Sequence, residues 1–123
     1  MNHILVIDDD VAIREMLHFF LTRKGYRVDL AENGAKGEQR MAERMPDLVI
    51  SDMLMPGEDG LELLMRMRKR FPALQIMAIS GGIRDASYDP LPVAKMLGAC
   101  CTFAKPLDLN EVLQAVQRLL GAM

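Results

Sequence analysis

Short apolar runs alternate along the chain with stretches whose apolar residues recur every three or four positions. That alternation predicts βα units wound around a parallel sheet. The first run, Ile4-Leu5-Val6-Ile7, is continuous and mostly β-branched, the pattern of a strand buried on both faces. Ile13, Met16, Leu17, Phe20 and Leu21 follow at helical spacing, and Gly25 is placed to end that helix. Residues 27–31 read as a weaker strand at a sheet edge. Asn33-Gly34 turns into a helix running to about Met45, with Met41, Ala42 and Met45 inward, until Pro46-Asp47 breaks it. Residues 48–50 form a third strand, then a loop holds Pro56, Gly57 and Gly60 before a helix over 61–70. A fourth strand covers 74–79, a polar loop 80–90, and a short helix 92–97 stops at Gly98. The fifth strand, 100–104, is closed by Lys105-Pro106. The last helix is the best marked: Asp108 is a good N-cap, Glu111 follows three residues on, and Val112, Leu113, Val116, Leu119 and Leu120 form one stripe.

Five strands and five helices in 123 residues are expected to make one domain, 1–123, with no room within it for an output module. Half the residues are hydrophobic, enough for a core that needs neither disulfide nor structural metal. A net charge of −2 argues against a direct nucleic-acid surface, and the basic cluster Arg66, Arg68, Lys69 and Arg70 reads as a solvated helix face. Cys100 and Cys101 are adjacent, so in a strand they point to opposite faces, and no CxxC spacing exists. A reduced, cytoplasmic setting is expected. Asn2-His3 lead straight into a strand rather than a signal peptide, and no apolar stretch approaches the ~20 residues of a membrane span. A soluble protein without membrane contact is expected.

In open parallel sheets, sites form beyond the carboxyl ends of the strands. Here the first strand ends in Asp8-Asp9-Asp10, the third in Asp52, the fourth in Ser80 and the fifth in Lys105. Each has an ordinary reading alone. An acidic triplet caps the next helix, which is the role expected of Asp10, and an Asp before a proline loop starts a turn. A lone lysine is most often on the surface, and Ser80-Gly81-Gly82 is an ordinary turn. Together they point elsewhere. Carboxylates crowded beside Asp52 repel one another unless a cation intervenes, and Mg²⁺ suits a few carboxylates completed by water and phosphate. Asp52 is placed to attack a phosphoryl group, with Lys105 and the Ser80 hydroxyl to receive its oxygens.

The runs Leu5-Val6-Ile7-Asp8-Asp9-Asp10, Ser51-Asp52-Met53-Leu54-Met55-Pro56 with Asp59-Gly60, Ser80-Gly81 and Lys105-Pro106 resemble the signature of response-regulator receiver domains. This is the chemotaxis-receiver-like family of two-component systems. The resemblance spans the chain and keeps the motifs in order. It implies a doubly wound, flavodoxin-like (βα)₅ fold with strand order 2-1-3-4-5. It implies Asp52 as acceptor of phosphate from a histidine kinase or histidine phosphotransfer protein. Asp8, Asp9, Asp52 and the backbone carbonyl of Leu54 would hold Mg²⁺, Ser80 and Lys105 would take the phosphoryl group, and the bond before Pro106 would be cis. The signal would leave through the fourth helix, fifth strand and fifth helix toward a downstream protein. Thr102 departs from the family, which usually has Tyr or Phe three residues before the lysine; Phe103, its neighbour, would point the other way. The segment from Ser80 to Lys105 is also longer than usual, and its Tyr88 is a candidate replacement ring beside the reading as an exposed loop tyrosine. Leu54 replaces a polar residue that some members hold near the attacking water, implying slow self-dephosphorylation.

Three other readings compete. A haloacid-dehalogenase-like phosphatase would need a second Asp two residues after the first, where Leu54 stands. A flavodoxin-like FMN binder would need an anion-binding loop where Asp8-Asp9-Asp10 repels anions. A receiver-fold interaction module that is not phosphorylated is the main alternative; the complete site argues against it, and Thr102 leaves it open. No turnover of an external substrate is expected.

Overall fold

In the computed structural model, which describes residues 2–81 and 89–121, the chain begins β1 (His3–Ile7), α1 (Val11–Arg23), β2 (Arg27–Ala31), α2 (Gly34–Glu43) and β3 (Leu48–Asp52). It continues β4 (Leu54–Met55), β5 (Glu58–Asp59), α3 (Gly60–Arg70), β6 (Gln75–Ser80), α4 (Leu91–Met96), β7 (Cys101–Ala104) and α5 (Leu109–Leu120). Five strands form a parallel sheet in the order β2-β1-β3-β6-β7, while β4 and β5 pair antiparallel as a separate ribbon. Counting the sheet strands alone, this is the expected 2-1-3-4-5 order.

The continuous apolar runs occupy the middle of the sheet because only there are both faces covered. Every residue of β1 and β3 is buried, whereas β2 and β7, at the edges, are partly exposed. Alternate residues supply two separate cores. On one face Ile4, Val6, Leu48, Ile50, Met77 and Ile79 pack with Leu17 and Leu21 of α1 and Val112, Ala115 and Val116 of α5. On the other, Leu5, Ile7, Val49, Ile76 and Ala78 meet Met41 of α2, Leu63, Leu64 and Met67 of α3, and Ala94 of α4. Asp10, Asn33, Asp59 and Asp108 each start a helix by accepting a hydrogen bond from a first-turn N–H.

Several expectations need correction. α2 stops at Glu43, so Met45 lies beyond the helix and is exposed, as is Ala42 within it; Met41 alone of the three is buried. The cause is Pro46, whose ring disfavours the helical conformation at Met45, and Arg44 is already extended. The loop after β3 contains the β4–β5 ribbon, turning at Pro56-Gly57 with Gly57 at φ +70, a conformation that favours glycine. Arg68 is not part of a solvated face. Its Nη1 donates to the carbonyls of Pro72 (3.0 Å) and Leu74 (2.5 Å), and its Nη2 to that of Gly98 (2.7 Å). It thereby ties the end of α3 to the start of β6 and the turn after α4. Arg66 and Arg70 do face outward, sharing Glu38 at 3.0 and 3.8 Å. Cys100 and Cys101 are both free thiols. Among the described residues, no helix is long and apolar enough to cross a membrane. Tyr88 lies outside the described residues.

Arg68→Ala leaves three carbonyls without their donor and is expected to lower stability by about 1–3 kcal/mol. A urea midpoint unchanged from wild type would show that water replaces the guanidinium without loss.

Candidate functional site

The register of the sheet brings the reactive residues together. Ile7 of β1 pairs with Ser51 of β3, so the next residues along, Asp8 and Asp52, are neighbours at the carboxyl rim. Asp52 in turn pairs with Ile79 of β6, which puts Ser80 one step further out on the adjacent strand. Ser80 pairs with Ala104 of β7, and the Lys105 N–H donates to the Ser80 carbonyl at 2.8 Å. The rim therefore receives its groups from four strands without help from any long loop.

Local hydrogen bonds then fix the side chains. Asp8 is wholly buried; its Oδ1 accepts from the Asp10 N–H at 2.9 Å, and Arg14 of α1 donates to its carbonyl at 2.7 Å. Asp52 is also buried, and its Oδ1 accepts from the Leu54 N–H at 3.0 Å. The Lys105 ammonium lies 2.7 Å from Asp8 Oδ2 and 3.1 Å from Asp52 Oδ2. Asp9 is exposed, yet Asp8, Asp9 and Asp52 each offer a carboxylate oxygen within 4.8 Å of the others. The Lys105–Pro106 peptide is cis.

Charge does not balance here. Three carboxylates face one ammonium. Burial pushes the Asp52 carboxyl up to about 6; the Leu54 N–H opposes this, the neighbouring Asp8 charge adds to it, and Lys105 opposes it again. For Lys105 burial works downward, but its bonds to Asp8 and Asp52 outweigh it and hold the ammonium above its ordinary value. The residues fit a hard divalent cation. All the donors are oxygens, they converge, and the one ammonium that meets the buried Asp8 Oδ2, at 2.7 Å, is shared with Asp52.

Two further residues sit less simply. Ser80 is buried, and its hydroxyl donates to the Gly81 carbonyl at 3.3 Å rather than to a carboxylate. Thr102 pairs with Ala78 and shares its face, toward α3 and α4, while Phe103 pairs with Ile79 and packs into the core beneath α5. The expected opposite orientation of Phe103 holds. Sequence reasoning missed Arg14 and Glu58. Arg14 is a helix residue reaching backward, and Glu58 accepts from the distant Gly34 N–H at 2.8 Å. A basic residue in a first helical turn and an acid after Pro-Gly carry no local signal of either contact. A groove of about 630 Å³, lined by Asn2, Asp47, Arg70 and Gln75 among others, opens at the opposite rim and includes none of the predicted residues.

A parallel doubly wound sheet with acids and an amine gathered at its carboxyl rim defines a class, the receiver-type signalling module. The family model described as the response regulator receiver domain matches residues 4–117, and the chain belongs to that family, which serves two-component signalling. It is 34% identical over 117 residues to sporulation initiation phosphotransferase F of Bacillus subtilis, covering 95% of this chain and 92% of that protein. It is also 34% identical to the DNA-binding transcriptional regulator NtrC of Escherichia coli K12, but spans only 24% of it. Among solved structures, the receiver domain of the TMAO respiratory regulator TorR superposes with a TM-score of 0.88 at 28% identity, covering 98% of this chain and 97% of that one. The response regulator TrrA of Thermotoga maritima, solved with Mg²⁺ and BeF, gives a TM-score of 0.83 at 32% identity, covering 98% and 100%. Receiver domains are generally signalling modules rather than enzymes.

The raised Asp52 carboxyl has a measurable consequence for the cation-free protein. The unfolded chain releases this proton near 3.8, whereas the folded protein keeps it to about 6. Between those values the folded state binds the extra proton, so stability falls as pH rises through that window. At pH 7, Asp52→Asn is therefore expected to raise stability, on the order of 1–2 kcal/mol or a few degrees in Tm. Thermal melts without Mg²⁺ at pH 4 and pH 7 check it; a gain that does not grow with pH contradicts the assignment.

Proposed function

We propose that residues 1–123 form one receiver domain that accepts a phosphoryl group on Asp52 from the phosphohistidine of a histidine kinase or histidine phosphotransfer protein. The observation that carries this reading is the Lys105 ammonium set 2.7 Å from Asp8 and 3.1 Å from Asp52 at the rim of the sheet. Asp8, Asp9, Asp52 and the Leu54 carbonyl would hold Mg²⁺. When bound, that ion neutralises the carboxylates and the charge on the phosphoryl oxygens. The TrrA complex with Mg²⁺ and BeF supports the choice of ion.

The protein's own groups do the rest. Ionised Asp52 attacks phosphorus in line, forming a P–O bond as the donor's P–N bond breaks and its imidazole leaves. Lys105, already between two carboxylates, takes one phosphoryl oxygen as a point charge. The Ser80 hydroxyl turns from the Gly81 carbonyl to donate to another. Because Lys105 and Ser80 are joined through their main chains, both movements reach α4, β7 and α5, the face read by a downstream protein. The module acts in the cytoplasm, with no direct contact to nucleic acid or membrane and no turnover of an external substrate.

Incubation with acetyl phosphate and Mg²⁺ is expected to label the protein stoichiometrically, and chelation or Asp52→Asn to abolish labelling. Absence of labelling in wild type sinks this reading and favours an interaction module that is not phosphorylated, consistent with Thr102. Leu54 is more than one-third exposed beside Asp52 and cannot orient an attacking water through its apolar side chain. Loss of the phosphoryl group is therefore expected to take many minutes. Leu54→Asn should accelerate it, and a half-life of seconds in wild type would exclude the idea.

A further inference from the structure

The main chain that follows Asp52 is held from a distance. Its Leu54 N–H donates to Asp52 Oδ1 at 3.0 Å, and Leu54 and Met55 pair with Asp59 and Glu58 across the β4–β5 ribbon. Two-residue strands are too short to keep their own position. Glu58 supplies an anchor. Its Oε2 accepts from the N–H of Gly34, the first residue of α2, at 2.8 Å and across 24 positions of sequence.

That end of α2 needs the contact. The Asn33 side chain accepts from the Lys36 N–H, its carbonyl from the Gly37 N–H, and the helix has no acidic residue in its first turn. Glu58 thus brings to the positive helix end both an acceptor and the negative charge its own sequence lacks. The two residues are matched in shape. Gly34 is buried, and a Cβ built there would overlap Glu58 Oε1, with the Glu58 Cδ at 2.8 Å and Leu63 Cδ2 at 3.0 Å.

We propose that Glu58 is a positioning residue for the rim: by pinning the β4–β5 ribbon to the N-terminus of α2, it fixes the Leu54 main chain beside Asp52 and so sets Mg²⁺ affinity. This rests on the reading above that Asp8, Asp9, Asp52 and the Leu54 carbonyl take Mg²⁺. Outer partners of metal ligands commonly govern affinity through orientation, and Glu58 pairs with Met55, the residue after the Leu54 carbonyl.

The test compares wild type, Glu58→Ala, Glu58→Gln and Gly34→Ala. Mg²⁺ binding is titrated directly by the amide NMR signals of Leu54 and Asp8, and the Mg²⁺ dependence of acetyl phosphate labelling is measured alongside. Glu58→Ala is expected to weaken Mg²⁺ binding about tenfold. It should raise the half-saturating Mg²⁺ for labelling equally and leave the rate at saturating Mg²⁺ unchanged. Glu58→Gln, which still offers an oxygen to Gly34 N–H, should bind close to wild type. Gly34→Ala pushes Glu58 aside without touching it and should match Glu58→Ala, although alanine is the better helix former. Wild-type Mg²⁺ binding in Glu58→Ala and Gly34→Ala, with only the melting temperature lowered, would make Glu58 a helix cap and overturn the proposal. If Glu58→Ala does not fold, the Gly34→Ala titration decides by the same criterion. A wild type that neither binds Mg²⁺ nor labels overturns the functional reading itself, and this inference with it.

Discussion

Two buried carboxylates lie side by side on adjacent strands, with a third at the surface above them and one ammonium between. Coulomb repulsion between like charges strengthens as water is removed, and Asp8 and Asp52 have almost none. Lys105 offsets part of it. Burial itself is the main cause of the upward shift of the Asp52 carboxyl; the Asp8 charge adds to it, and the Leu54 N–H and Lys105 resist but do not cancel it. A site in that condition is poised for whatever positive charge reaches it. The sheet must be stable enough to carry that unfavourable energy.

The sheet does so by keeping the stressed groups off the core. β1 and β3 are buried along their whole lengths, and their apolar residues divide cleanly between the α1–α5 and α2–α3–α4 faces. The acids come at the strand ends, where a parallel arrangement puts all carboxyl termini on one rim. The same geometry explains why Asp8 and Asp52 meet although α1, β2 and α2 all lie between them along the chain. A slip of one residue between β1 and β3 would turn Asp8 away and exchange the side chains that the two cores receive, so the core and the site enforce the same register.

What was legible beforehand follows from this. Continuous apolar strands, capping aspartates and the strand-end acids are local or periodic signals, and they gave the parallel sheet, the Asp10 and Asp108 caps, and Asp8, Asp9, Asp52 and Lys105 as a group; the strand order came from the resemblance to receiver domains. What escaped was contact between elements. Arg68 reads as one charge among four on a helix, yet it binds three carbonyls from two other segments. The β4–β5 ribbon was hidden because strands of two residues have no period, and Glu58 because its partner is a glycine N–H, which leaves no side-chain trace. The inward Met45 was a misjudgement that Pro46, one residue on, already contradicted.

The output side of the rim carries the sharper structural question, since β7 has no large ring facing α4. Thr102 shares the face of Ala78, and the nearby Phe103 is committed to the opposite core with Ile79 and cannot be recruited without breaking that packing. Under the proposed function, movement of Ser80 and Lys105 would be conveyed from β7 by main chain rather than by a swinging side chain of that strand. The Lys105 N–H to Ser80 carbonyl bond joins the two residues directly, and Arg68 holds the turn after α4 to the end of α3. With one end of α4 held in this way, displacement at the rim would be taken up at its other end. A tilt of α4 about a fixed C-terminal turn would need no aromatic switch, only the hydrogen bonds that already hold that turn.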